Sequence, residues 1–295
     1  MKPNLNDYLL LVLLAFIWST SFLLIKIGVR TVDPMTLTTI RLIIATSILW
    51  LLLLVRGQGI PMHKDALLMY AVVGIMGNTL PFMLISQGEL TADSSMTAIL
   101  MGCMPICTFV LAHFFLHDEP MTKRKTIGVG FGFCGLLTLI GFSAIKNMDG
   151  GTIGEIIILC GAISYAITTV FVRSQPSFSG FQMAAGAALF ATATSIPMAF
   201  IFEDPLNVTP STESLVAIVL LAVFATAIAS VIYFKVIRSV GATTFSQINY
   251  IIPVLGSIWG VLLLGEVLEF KILLALAMVL CGIYLIQSKT ADSPG

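Results

Sequence analysis

The side chains able to do chemistry in this chain are polar groups set inside long apolar runs. Trp18, Ser19 and Ser21 interrupt the first run, and Asn78, Thr79 and Pro81 the third. Ser164, Tyr165, Thr168 and Thr169 interrupt the sixth, and Thr226 and Ser230 the eighth. Gln247, Asn249 and Tyr250 stand just ahead of Pro253 in the ninth, while Pro105 lies near the centre of the fourth. Hydrocarbon offers such groups no partner, so each must bond within the protein or face something polar. Hydroxyls are readily explained as helix glue and prolines as bends. Amides cost more to bury unpaired, so Asn78, Gln247 and Asn249 read equally well as glue or as ligand contacts. Pro81 frees the carbonyl of Gly77, and Asn78 is placed to partner it. Trp18 and Tyr165 are either packing aromatics or the walls of a shared cavity. Ring faces beside a few amides suit the binding of an amphipathic small molecule.

Bond-breaking chemistry is poorly provided for. An intramembrane serine protease needs a nucleophile and a histidine at one depth. Gly141-Phe142-Ser143 falls at a helix end, and no histidine matches it. His113 and His117 are four apart and could share a ligand on one helix face, but no third ligand accompanies them. The five cysteines lie in apolar runs without metal-ligand spacing, which suits helix packing. No metal, cofactor or catalytic residue is expected, although an intramembrane enzyme and a non-transporting receptor remain the alternatives. No Asp or Glu lies near the middle of any run, and proton relays in transporters usually use one. Facilitation or exchange is therefore at least as well supported as proton coupling.

The elements that position these groups are membrane helices. Of 295 residues 58% are hydrophobic and 10% charged, with a mean hydropathy of +1.02. Soluble domains carry about 25% charged residues. Fifteen basic and fifteen acidic residues cancel, which disfavours nucleic acid as a partner. A helical span needs about 20 mostly apolar residues. Ten are expected, at 8–29, 35–55, 66–88, 94–116, 125–144, 154–173, 180–202, 214–237, 242–264 and 270–287. The connections are too short for a soluble module, so a pump driven by its own ATP hydrolysis is not expected. Tyr8 to Val29 is broken only by Lys26 and is too long for the apolar core of a cleaved signal. Lys2, Arg56, Lys64, Lys123, Arg124, Lys125, Arg173, Lys235, Arg238 and Lys289 fall on one side. Arg30, Lys146 and Lys271 fall on the other. That bias puts both termini in the cytoplasm, with the chain in the plasma (inner) membrane.

The chain also carries one layout twice. Pro105, Glu119 and Cys134-Gly135 are echoed by Pro253, Glu266 and Cys281-Gly282, and Glu119 and Glu266 are 147 positions apart. The same shift maps Trp18 onto Tyr165 and Lys26 onto Arg173. An odd number of spans per copy makes the second copy enter from the opposite side, an inverted repeat. Trp18-Ser19-Thr20-Ser21-Phe22, Asp33-Pro34 and Arg41 resemble the opening of an EamA-type unit of the drug/metabolite transporter superfamily. The stretches from Pro105 to Gly135 and from Pro253 to Gly282 resemble its closing half. The second copy departs at its start, with Tyr165 for Trp18 and Ala188 for Arg41. The resemblance implies an all-α exporter of small metabolites or drugs, with its cavity between two five-helix repeats at 1–145 and 150–289 and a polar tail at 290–295.

The remaining charges read as structural. Arg41 lies within its span and either snorkels to the outer interface or reaches the cavity, the structural role being favoured. Lys26 is nearer its helix end and is expected to snorkel. Glu119 and Glu266, at span ends, cap the following helix or act in function. Gly128, Gly132 and Gly135 give the fifth span a small-residue face, echoed by Ala275 and Gly282, for packing or, alternatively, for a homodimer.

Overall fold

The computed structural model describes residues 5–116, 121–140, 150–174, 180–245 and 248–287. Among these residues every regular element is a helix. In chain order they are α1 (Leu5–Gly28), α2 (Pro34–Val55), α3 (Lys64–Gly74), α4 (Leu80–Gly88), α5 (Ser94–Met101), α6 (Met104–Phe115) and α7 (Lys123–Ile140). The chain continues with α8 (Gly150–Arg173), α9 (Gly180–Phe202), α10 (Thr212–Leu220), α11 (Ala229–Phe245), α12 (Ile248–Leu264) and α13 (Phe270–Gln287). Eight stretches are long and apolar enough to cross a membrane. Of the other two expected spans, α12 is a shorter apolar helix of 17 residues, and α7 opens on Lys123-Arg124-Lys125.

One expected boundary is wrong. The eighth rod does not end at 237; its helix runs on to Phe245, and the ninth begins at Ile248. Gly241 lies inside the helix. A glycine costs a helix interior about 1 kcal/mol, which weakens the helix without ending it.

The third and eighth rods share a feature with no sequence signature. Between α3 and α4, Ile75–Thr79 forms a wide π turn, and between α10 and α11 so does Leu221–Ile228. The Leu80 N–H reaches back five residues to the Ile75 carbonyl, and the Ala229 N–H reaches the Phe224 carbonyl. A side chain repeats that reach in each turn. Asn78 Nδ2 donates to the Val73 carbonyl at 3.1 Å, and Thr226 Oγ1 to that of Leu221 at 3.0 Å. Pro81 follows the first turn, where a residue without an N–H is accommodated. Asn78 thus partners Val73, not Gly77 as expected, because the widened turn carries its amide toward the preceding turn.

Packing repeats one pattern twice. The first rod lies on the ninth and eighth, as the sixth lies on the fourth and third. The third lies on the seventh as the eighth lies on the second. The second packs on the seventh and the fifth on the tenth. Exchanging every rod for the one five places on leaves this pattern unchanged. Glycines set the closest approaches: a Cβ at Gly282 would stand 2.6 Å from the Gly128 carbonyl oxygen and 2.9 Å from the Gly132 nitrogen. The glycine face of the fifth span is thus occupied by the chain's own tenth.

Candidate functional site

On α1 the exposed apolar residues Leu5, Leu9, Val12 and Phe16 form one stripe, which is the face suited to lipid. At about 100° per residue, Trp18 points away from it. Its ring lies 6.0 Å from that of Tyr233 and 6.3 Å, edge-on, from that of Phe245, joining α1 to α11. On α8 the corresponding stripe is Ile156, Ile163 and Ile167. Tyr165 and Thr169, one turn apart, lie on the opposite side. Thr169 is nonetheless exposed, with its hydroxyl on the Tyr165 carbonyl at 2.8 Å. Trp18 and Tyr165 are half-buried against one apolar cluster, together with Met101, Ile251 and Ile252. The two aromatics paired by the repeat thus both pack against this cluster. Ser21 is buried in α1, and Ser19 accepts a hydrogen bond from Trp259 Nε1 at 2.9 Å.

Arg41 does not snorkel. It is 4% exposed, and its Nε donates to Thr226 Oγ1 at 2.8 Å. Its guanidinium carbon stands 3.7 Å from the centre of the Phe82 ring. The Tyr165 phenol is within electrostatic reach. Among the described residues no carboxylate pairs with it. Thr226, within the second π turn, supplies the oxygen that the buried cation meets. The planar guanidinium of Arg41 carries further N–H groups beside the one on Thr226, and such a fork suits an anionic guest.

The prolines of the fourth and ninth rods mark a contact. Helix α5 stops at Met101, and Pro105 stands near the start of α6. Pro253 is buried within α12, and a Cβ on Gly102 would stand 2.8 Å from its ring. Pro253 leaves the Asn249 carbonyl without its usual helical donor. The half-buried Asn249 amide bonds to no described residue. Tyr250 packs on a second cluster, built mainly from α5, α6 and α13 with Leu136 of α7 and Ile158 of α8, and not on the cluster that Trp18 and Tyr165 share. Gln247, Glu119, Ser143 and His117 lie outside the described residues.

Charges gather where α1, α4 and α5 end or begin. Glu266 caps α5 and not the helix that follows it, the latter being one of the two readings its position leaves open. Its carboxylate accepts from Ser94 N at 2.8 Å, Ser94 Oγ at 2.9 Å and Ser95 N at 2.9 Å. Gly265, at φ +69°, makes the left-handed turn that brings the carboxylate back. Gly260 leaves room for it, since a Cβ there would overlap the Glu266 carboxylate. Glu203, missed by sequence reasoning, does the same for α2, accepting from Met35 N, Thr36 N and Thr36 Oγ1 at 2.7–2.8 Å. Both sites exploit the unpaired N–H groups of a helix start. Lys26, expected to snorkel, instead donates to the backbone carbonyls of Glu89 at 2.8 Å and Ala92 at 2.7 Å.

A model of the EamA-like transporter family matches residues 6–141 and again 152–288. The uncharacterised transporter YoaV of Bacillus subtilis (strain 168) is 25% identical over 270 residues, covering 91% of this chain and 92% of that protein. The uncharacterised inner membrane transporter YedA of Escherichia coli (strain K12) is 26% identical over 295 residues, covering 95% and 92%. An S-adenosylmethionine/S-adenosylhomocysteine transporter of Chlamydia trachomatis serovar L2 is 27% identical over 296 residues, covering 97% and 90%. A protein solved by crystallography shares the fold with a TM-score of 0.66 at 19% identity, over 95% of this chain and 97% of that one.

Proposed function

The chain belongs to the EamA-like transporter family, and we propose that it exports small amphipathic metabolites, amino acids or related compounds, by alternating access. The moving parts are two inverted halves, 1–145 and 150–289, with both termini in the cytoplasm of a cell bounded by an inner membrane. The packing pattern that survives exchange of each rod for the one five places on supports this division. So does the recurrence of a π turn in the third rod of each half.

The observation that carries the reading is that Trp18 and Tyr165 pack against one apolar cluster from faces turned away from the lipid stripes. Aromatic faces there would hold the apolar part of a cargo. The Asn249 amide, Thr169 and the open donors of Arg41 would hold its polar part. A carboxylate is the group that suits Arg41, whose planar fork matches it in two hydrogen bonds. S-adenosylmethionine, named for the Chlamydia relative, carries an aromatic base and a carboxylate and belongs in the first panel of probes, beside the amino acids.

Counterflow in proteoliposomes tests this. Liposomes loaded with an unlabelled panel compound should accumulate the same compound in labelled form, and control liposomes should not. Consumption of the label would indicate an enzyme, and saturable binding without exchange would indicate a receptor.

A further inference from the structure

Glu89 stands one residue past the third span, at the end of α4, and is fully buried. Neither oxygen of its carboxyl meets a hydrogen-bond partner. The Lys26 ammonium bonds the backbone carbonyl of Glu89 and that of Ala92, so α1 is clasped to the turn leading into α5. Thr97 is near enough to favour the charged carboxylate, yet its hydroxyl donates to the Asp93 carbonyl at 3.0 Å. A bare carboxylate in such a place would cost several kcal/mol, whereas a neutral acid costs far less.

The charged groups that act on Glu89 come from two directions. From α1 there is Lys26, and from the turn before α13 there is Glu266, already held by the start of α5. Asp93, on the turn between α4 and α5 that carries Glu89, faces both of these charges. From α8 the seam is lined by Gly154 and Ile158, which do not titrate. Burial pushes the Glu89 carboxyl well above the usual range; Lys26 pulls it down and Glu266 pushes it up.

We propose that Glu89 is a proton-binding site of this transporter, neutral in the arrangement seen and, once ionised, drawing the Lys26 ammonium off the two carbonyls. Loss of the proton thereby loosens the seam between α1 and the start of α5. The atoms involved are few: the carboxyl proton leaves to water, and the ammonium changes partners without losing its own. This goes beyond the export reading and does not depend on any cargo.

The full-length protein in liposomes, monitored by infrared spectroscopy as the pH is raised, tests it. Wild type should show the carbonyl band of a protonated carboxylic acid near neutral pH and lose it in alkali. Glu89→Gln should lack that band throughout. At alkaline pH, amide hydrogen exchange over residues 88–97 should be faster in wild type than in Glu89→Gln at the same pH. A wild type without the band near neutral pH, a band retained in Glu89→Gln, or equal exchange in the two proteins would overturn the proposal. If Glu89→Gln does not reach the membrane, Lys26→Met decides. Without the ammonium the band should persist to higher pH, and an unchanged titration would overturn the proposal. Failed counterflow with a normal titration would instead count against the export reading alone.

Discussion

The Glu266 carboxylate accepts the Ser95 N–H at 2.9 Å across 171 positions of chain, closing the start of α5 with a side chain from the other half. Partial burial raises the carboxyl, but hydrogen bonds from Ser95 and Ser94 outweigh it and hold Glu266 below its ordinary value. A carboxyl depressed in the folded state contributes stability above its unfolded value of about 4.3, and that contribution is lost as pH falls through the lower folded value. Glu266→Gln should cost about 0.5–2 kcal/mol at neutral pH, the range of a lost helix cap. Thermal melting in detergent should also show the variant losing less stability than wild type on acidification. Equal acid sensitivity in the two proteins would remove Glu266 from this role.

Arg41 and Thr226 join the second and eighth rods at 2.8 Å. Arg41→Lys keeps the charge but loses the fork and the stacking on Phe82, so it is not a conservative change here. Transport of a carboxylated substrate should fall by roughly tenfold or more, one lost charge-assisted hydrogen bond being worth about 1.5–3 kcal/mol. A matched amine lacking the carboxylate should be affected less. Equal losses for both substrates would make Arg41 a structural cation only.

The two asparagines should separate. Asn78→Ala strands the Val73 carbonyl in the wide turn and should destabilise the protein by about 1–3 kcal/mol, seen as a lower melting temperature. Asn249→Ala breaks no bond to a described residue, so its melting should match wild type while counterflow weakens. If Asn249→Ala transports like wild type, its amide does not meet the cargo.

Orientation can be read independently of transport. Reporter fusions after Lys146 and after Ser288 should report opposite compartments, outside and inside respectively. The same compartment for both would break the ten-span count and, with it, the inverted arrangement of the halves.

The contact between the fifth and tenth spans rests on glycine. Gly282→Val would press a branched side chain onto the Gly128 carbonyl oxygen, 2.6 Å from where its Cβ would stand. Overpacking of this kind costs about 1–3 kcal/mol. A variant that melts like wild type would show the two helices free to separate.

Two features of the sequence, run length against bilayer thickness and a long internal echo, determined that the chain is helical and built largely of rods long and apolar enough to cross a membrane. Apolar runs of about 20 residues are long enough to span as helices, which satisfy their own backbone groups where hydrocarbon cannot. The shift that maps Trp18 onto Tyr165 leaves them open as packing aromatics or as walls of one cavity, and in the fold both pack against the same apolar cluster. Tertiary packing had to settle every place where one rod answers another. The π turns leave no trace in composition, so neither the Asn78–Val73 bond nor the oxygen offered to Arg41 by Thr226 could be read from residue types. Glu266 caps a helix 172 positions away instead of the next one, because helix starts come together by packing and not by order. Glu89 is not among the mid-span polar groups because it stands just past a span. Its burial comes from α1, α5 and α8 closing over that end, and burial is a property of neighbours, which no single stretch of chain contains.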